Sequence, residues 1–161
     1  MTDVIRRARP GDETELTAMV YELAEFEHAA AECTVTENQL RQALFDKPVT
    51  LHAHIAEVDG QAAGGALWFL NFSTWDGVPG IYLEDLYVRP QFRRRGLARR
   101  ILATLARECV DNGYSRLSWA VLDWNVNAIA LYDSVGGKPL REWITYRVSG
   151  PGLSELASEL S

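Results

Sequence analysis

Apolar and polar positions along this chain follow two rhythms, period two and period near 3.6, and the switches between them mark the elements. Val4 to Arg9 predicts a first strand, ended by Pro10-Gly11. Leu16, Met19, Val20, Leu23 and Phe26 then recur at helical spacing to about His28, with Asp12 and Glu15 as an N-terminal capping pair. Thr36-Glu-Asn-Gln39 is a capping box that opens a short helix through Leu40, Ala43 and Leu44. Thr50 to Val58 and Gln61 to Leu70 predict two strands joined at Asp59-Gly60, a strong short-range hairpin signal. Ile81 to Val88 is the most strand-like stretch, and Pro90 stops it. Beyond Gly96 the apolar positions Leu97, Ile101, Leu102, Leu105 and Cys109 share one helical face, ending near Asp111-Asn112-Gly113. Arg116 to Leu122 predicts a further buried strand. Asn125 caps a short helix carrying Ala128, Leu131, Tyr132 and Val135, stopped by Gly136-Gly137. Trp143 to Val148 predicts a last strand, and Gly150-Pro-Gly opens a small polar tail. The order β-α-α-β-β-β-α-β-α-β, without repeat or linker, predicts one domain over residues 1–161 with an α/β (α+β) layer fold around a mixed sheet.

Composition narrows the function classes. Hydrophobic residues make up 47% and charged residues 24%, ordinary globular values that exclude a disordered chain. No apolar run approaches the length of a membrane span and the N-terminus carries no secretory signal, so a cytoplasmic protein with no membrane partner is expected. Cys33 and Cys109 are far apart with no C-x-x-C, which favours buried thiols over a disulfide framework or a zinc site. The formal net charge of -6 argues against nucleic acid as a partner. Against that acidic background Arg89, Arg93, Arg94, Arg95, Arg99 and Arg100 crowd one turn. Arginine at a helix start opposes the helix dipole, so a compensating anion is expected there, and the acidic remainder suits a cationic second substrate.

The chemistry concentrates around that turn. A small-residue turn entering a helix presents unpaired backbone N–H groups at the positive end of the dipole, which makes an anion site. The spacing is neither G-x-x-x-x-G-K-[ST] nor G-x-G-x-x-G, which excludes a triphosphatase loop and disfavours a dinucleotide fold. Glu84 and Asp85 are adjacent charges inside an apolar strand. Strict alternation sends them to opposite faces, a bulge would bring both to one cleft, and the alternative to a functional role is a structural ion pair with a buried arginine. His52 and His54 share a strand face but lack a nearby carboxylate or thiol, so they read as ordinary half-buried histidines. Trp75 in the Asn71 to Gly80 loop either plugs a surface gap or lines a pocket for an alkyl-ammonium chain. Glu22 and Glu25 read as solvated helix charges.

The turn Arg93-Arg-Arg-Gly96-Leu-Ala98 follows Tyr82-Leu-Glu-Asp-Leu-Tyr-Val88 and precedes Asp123-Trp-Asn-Val-Asn127 and Tyr132. This set resembles the pyrophosphate-binding turn and its surroundings in the GNAT superfamily of N-acetyltransferases. Tyr21-Glu-Leu-Ala-Glu-Phe-Glu27, Ser73-Thr-Trp75, Tyr82 to Asp85, Trp124-Asn125 and Tyr132 are similar to its spermidine/spermine and thialysine (diamine) branch, from about Val4 to Val148. The resemblance implies a GNAT-like, mostly antiparallel mixed sheet flanked by helices. It also implies acetyl-CoA as co-substrate without a metal, direct transfer to a primary amine of a small cationic acceptor, and a homodimer to which the C-terminal strand contributes.

Carried over, Arg93, Arg94, Arg95, Gly96, Leu97, Ala98 and Arg99 would hold the cofactor phosphates. Leu86, Tyr87 and Val88 would pair with its pantetheine arm, as an added strand would, with a backbone N–H near Val88 facing the oxyanion. Asn125 and Asn127 bond the cofactor or simply cap the helix. Tyr132, a core residue by spacing alone, would stand beside the cofactor sulfur and protonate the thiolate. Phe26, Glu27, Trp75, Glu84, Asp85, Trp119 and Glu142 match acceptor-side positions, Glu84 taking the ammonium proton directly or through water and Asp85 binding the cation. Phe26 stands where the family often has tyrosine. Ser73 stands where polyamine-specific relatives carry a carboxylate, which makes a lysine-like or short diamine acceptor at least as good a match. Arg95 and Ala98 replace frequent glycines, tolerable where φ stays negative. The alternatives are an acetyltransferase for protein or peptide amines and a non-catalytic acetyl-CoA-binding regulatory module.

Overall fold

The computed structural model describes residues 2–160. Five strands, β1 (Asp3–Arg7), β2 (His52–Val58), β3 (Gln61–Ser73), β4 (Val78–Val88) and β5 (Leu117–Ser118), lie side by side in chain order. The first three pairings are antiparallel and the β4–β5 pairing is parallel. A parallel neighbour needs a crossover, and α3 (Leu97–Asn112) supplies it. The β2–β3 hairpin turns at Asp59-Gly60 with both residues at positive φ, 50° and 81°, as its two-residue loop demands.

Each face of the sheet has its own apolar layer. Leu16 and Met19 of α1 (Glu13–Phe26) and Leu40 and Leu44 of α2 (Glu37–Phe45) pack on Ala53, Ile55, Leu67 and Tyr87. On the other face Leu97, Ile101, Leu102, Leu105 and Cys109 of α3 cover Ala56, Ala66, Trp68, Ile81 and Leu83. Every apolar α3 position read from the 3.6-residue spacing is therefore inside, each worth roughly 1.5–3 kcal/mol of burial. The Thr36–Gln39 capping box forms as expected, and Gly113 ends α3 in the left-handed conformation. His54 is buried and its Nδ1 accepts from Trp68 Nε1 at 3.1 Å. Burial, then the nearby Arg7 and His52, hold its pKa down at about 4, so it stays neutral.

Several expectations need correction. Asp12 precedes α1 but makes no side-chain cap; it is drawn off by Arg6, whose guanidinium donates to it at 2.7 and 3.0 Å while also reaching Glu57 at 2.6 Å. Glu22 is not a solvated charge: with Glu15 it holds Arg89, at 3.0 and 2.7 Å. The strand expected over Arg116 to Leu122 pairs only at Leu117–Ser118, because the two chain segments part beyond that point and leave the rest without a ladder partner. Trp143 to Val148 has strand-like composition but forms no ladder, since no strand of the chain lies beside it. Ile144 and Tyr146 are 79% and 91% exposed there. The polar tail contains instead a short helix, α5 (Pro151–Ala157). Among the described residues no helix is long and apolar enough to cross a membrane.

Candidate active site

A cleft opens where β4 and β5 part. Their ladder pairs Ile81 with Leu117 and Tyr82 with Ser118 and goes no further. Two residues on, β4 bulges: Trp68 of β3 faces Leu83 and Leu67 faces Asp85, leaving Glu84 as the extra residue. Leu83 and Leu86 both pack toward the α3-side core. The two residues between them therefore lie together on the opposite face. Glu84 and Asp85 share one side of the sheet, and among the described residues neither is bound by an arginine.

The cleft holds about 540 Å³. Leu86, Tyr87 and Val88 form one wall, on a strand edge that β5 has left unpaired. Ala120, Val121 and the start of α4 (Val126–Ser134), with Asn125, Asn127, Ala128, Leu131 and Tyr132, form the other. Asn125 Oδ1 accepts from the Ala128 N–H at 3.3 Å, so its capping role is met within the chain.

At one end lies the turn into α3, where Arg93, Arg94, Gly96, Leu97, Ala98 and Arg99 line the cleft. Gly96 is the N-cap with φ 74° and offers no side-chain cap, so the first N–H groups of α3 face the opening. Arg94 also takes a positive φ, 64°, unannounced by the residues around it. Arg95 and Ala98 keep negative φ, which removes the objection to their replacing glycine. Arg95 itself does not line the cleft. Arg93 Nε donates to the Val88 carbonyl at 2.9 Å, fastening the turn to β4, and its guanidinium lies over Phe26 at 5.5 Å and Tyr87 at 5.7 Å. An unsatisfied helix N-terminus flanked by arginines, running into a free strand edge, fits a diphosphate followed by an amide-bearing arm.

The far end is acidic. Glu27 closes α1, and Glu84 and Asp85 come from the bulge, with Leu23 and Phe26 beside them. Burial pushes the Glu27 carboxyl up. Burial, then repulsion from Glu84 and from Glu27, lifts Asp85 to about 6. Tyr132 is raised by burial and by Glu27, so its phenol keeps its proton well past neutrality. Its ring packs on Trp119 at 5.0 Å.

Residues 17–136 match the Acetyltransferase (GNAT) family. The chain belongs to this family of acetyltransferases. The enzyme is 43% identical over 153 residues to a thialysine N-epsilon-acetyltransferase from Caenorhabditis elegans, covering 93% of this chain and 94% of that one. It is 35% identical to the enzyme of that name from Sus scrofa, covering 97% and 98%. Its fold superposes on an integron cassette protein from the V. cholerae mobile metagenome with a TM-score of 0.81 at 24% identity, over 98% of both chains.

The acetyltransferase does not gather every residue expected at its site. Trp75 sits in the β3–β4 turn, 90% exposed and outside the cleft lining. Ser73 is buried, and its Oγ accepts from the Asp76 N–H at 3.1 Å, which ties that turn together. Trp119 stands behind Tyr132 rather than in the lining, and Glu142 lies in the exposed C-terminal stretch. Conversely, Trp124 ties the approach to α4 to the end of α1: its ring meets Phe26 at 5.9 Å and His28 at 5.5 Å. His28 reaches it from a left-handed conformation, φ 60°, that no local sequence signal announces.

Proposed function

We propose that this acetyltransferase moves the acetyl group of acetyl-CoA directly to the primary amine of a small, lysine-like or diamine acceptor, with both substrates in one cleft. The observation that carries this is the cleft's polarity. Its ends are an arginine-flanked helix N-terminus and three carboxylates, Glu27, Glu84 and Asp85, with an apolar channel between them. A phosphorylated donor suits the first end and an alkyl-ammonium acceptor the second. The names of the relatives from C. elegans and Sus scrofa support the lysine-like class.

In this reading the turn from Arg93 to Arg99 holds the donor phosphates, and Leu86 to Val88 align the arm. A backbone N–H near Val88 faces the carbonyl oxygen as negative charge builds there. Asn125 and Asn127 hold the start of α4 against the donor. The Glu84–Asp85 pair holds the ammonium and takes its proton, and Tyr132, kept protonated by burial, returns a proton to the leaving sulfur. Phe26 and Glu27 shape the acceptor end, and Trp119 backs the Tyr132 ring.

The proposal extends to a homodimer. The exposed apolar residues Trp143, Ile144, Tyr146 and Val148 supply strand-like chain without a neighbour, while β5 offers a sheet edge without a neighbour. A second copy satisfies both, and it would bring Glu142 and Trp75 into new surroundings. A reducing, cytoplasmic setting belongs to the same reading and agrees with the two free thiols.

The test is amine-dependent release of CoA thiol across thialysine, lysine, ornithine, putrescine, spermidine, spermine and a lysine peptide. Turnover concentrated on the short lysine-like amines supports the reading. Activity on the peptide alone replaces it with a peptide acetyltransferase. Tight acetyl-CoA binding with no release on any amine replaces it with a cofactor-binding module.

A further inference from the structure

The bulge in β4 turns two carboxylates onto one face but leaves them in different surroundings. Glu84 stands exposed. Asp85 is pressed back over Leu16, Met19, Val20 and Leu23 of α1 and Leu67 of β3, none of which offers it a hydrogen bond. Around it stand Glu84 and Tyr87 on its own strand, Glu27 at the end of α1, Arg93 ahead of α3 and Tyr132 on α4. Arg93, the positive member of that group, is spent on the Val88 carbonyl and on the rings of Phe26 and Tyr87. Among the described residues no hydrogen bond or ion pair reaches the Asp85 side chain.

We propose that Asp85, rather than Glu84, takes the proton from the acceptor ammonium, while Glu84 and Glu27 hold the positive charge; this rests on the amine-acetylation reading above. An apolar floor and two like charges disfavour a bare carboxylate at Asp85. Glu84 stands exposed beside it, open to water, and is the better partner for a cation. Because burial and its neighbours lift Asp85 to about 6, it lies closer to a lysine-type ammonium, about 10.4, than an ordinary carboxylate does. Each pH unit gained makes that transfer about tenfold less unfavourable.

The step balances as follows. An ammonium N–H bond breaks and its proton passes to a carboxylate oxygen of Asp85. The freed lone pair forms the C–N bond at the thioester carbonyl, and the C–S bond breaks with its electron pair on sulfur. Sulfur takes the Tyr132 proton, and the second proton that nitrogen must lose replaces it on the phenolate. Asp85 then gives its proton to solvent, the one proton released per turnover.

The experiment is the pH dependence of kcat and KM for wild type, Asp85→Asn and Glu84→Gln, with acetyl-CoA affinity measured separately to confirm folding. In wild type the rate should fall below an apparent pKa near that of Asp85. Asp85→Asn should lower kcat at least 100-fold with KM little changed and should erase the acidic limb. Glu84→Gln should raise KM several-fold and keep the limb, displaced to lower pH. An Asp85→Asn enzyme with wild-type kcat and an intact limb overturns the assignment, as does loss of the limb in Glu84→Gln. A wild type inactive on every amine defeats the amine reading instead. Carbon-13 NMR titration of the Asp85 carboxyl then still decides the proton-accepting role, since titration at an ordinary carboxylate pH near 4 overturns it whatever the activity.

Discussion

Tyr132 and Asp85 set the strongest demands at the scale of single residues. Tyr132→Phe removes one oxygen from a half-buried ring that stays packed on Trp119, so kcat should fall on the order of 100-fold or more while acetyl-CoA affinity barely moves. Steady-state rates with a separate binding titration check this, and undiminished turnover would remove Tyr132 from the chemistry. Asp85 also makes a stability prediction. Its folded-state value, raised to about 6, exceeds the ordinary 3.8, so its contribution is intact below the lower value and is lost as pH rises through the higher. Asp85→Asn should therefore raise stability at pH 8 by roughly 2–3 kcal/mol, a gain that disappears toward pH 4 in melting curves. Asp12 has the opposite sign. Burial opposes its charge, but the hydrogen bonds from Arg6 and from the Arg9 N–H, with the positive charges of both arginines, together outweigh it and lower its pKa. Its stabilisation is present above the ordinary carboxylate value and is lost as pH falls through the lowered one. Asp12→Asn should cost about 1–2 kcal/mol at pH 7 and nothing in strong acid.

Elements differ in how much of themselves they announce. The α3 stripe, the Thr36–Gln39 box and the Asp59-Gly60 hairpin were legible because each depends on residues a few positions apart. The β4 bulge was half legible: adjacent carboxylates in an apolar strand required an explanation, and only the pairing with Leu67 and Trp68 supplies it. The extent of β5 and the fate of Trp143 to Val148 were not legible, since a strand is made by its neighbour and no local signal names that neighbour. Left-handed His28 and Arg94 were likewise hidden, because residues other than glycine adopt that conformation only when their surroundings hold them there. The β3–β4 pairing can be tested directly. A Cβ on Gly64 would stand 2.6 Å from the Tyr87 carbonyl oxygen, so β4 must move away along its Tyr87–Val88 stretch. Gly64→Ala should cost on the order of 2 kcal/mol by denaturant titration and weaken acetyl-CoA binding several-fold, because that stretch is a wall of the cleft. Normal stability and affinity would mean that the strand yields without consequence.

On the scale of the whole molecule, the C-terminal stretch carries a run of exposed apolar residues. Trp143, Ile144, Tyr146 and Val148, followed by Leu153 and Leu156 of α5, face solvent beyond the last helix of the site. Light scattering should give twice the chain mass for the wild type and a single chain mass for an Ile144→Lys/Tyr146→Asp double variant; a monomeric wild type would leave the C-terminal stretch without its proposed role. In the proposed reaction one cleft brings a phosphorylated thioester and a cationic amine together, with an anion-binding turn at one end and three carboxylates at the other. Its most direct test is initial-rate kinetics with acetyl-CoA and thialysine varied against each other. Intersecting reciprocal plots, with acetylated thialysine as product and no acetylated enzyme by mass, are the predicted result. Parallel plots with an isolable acetyl-enzyme would contradict direct transfer within the cleft.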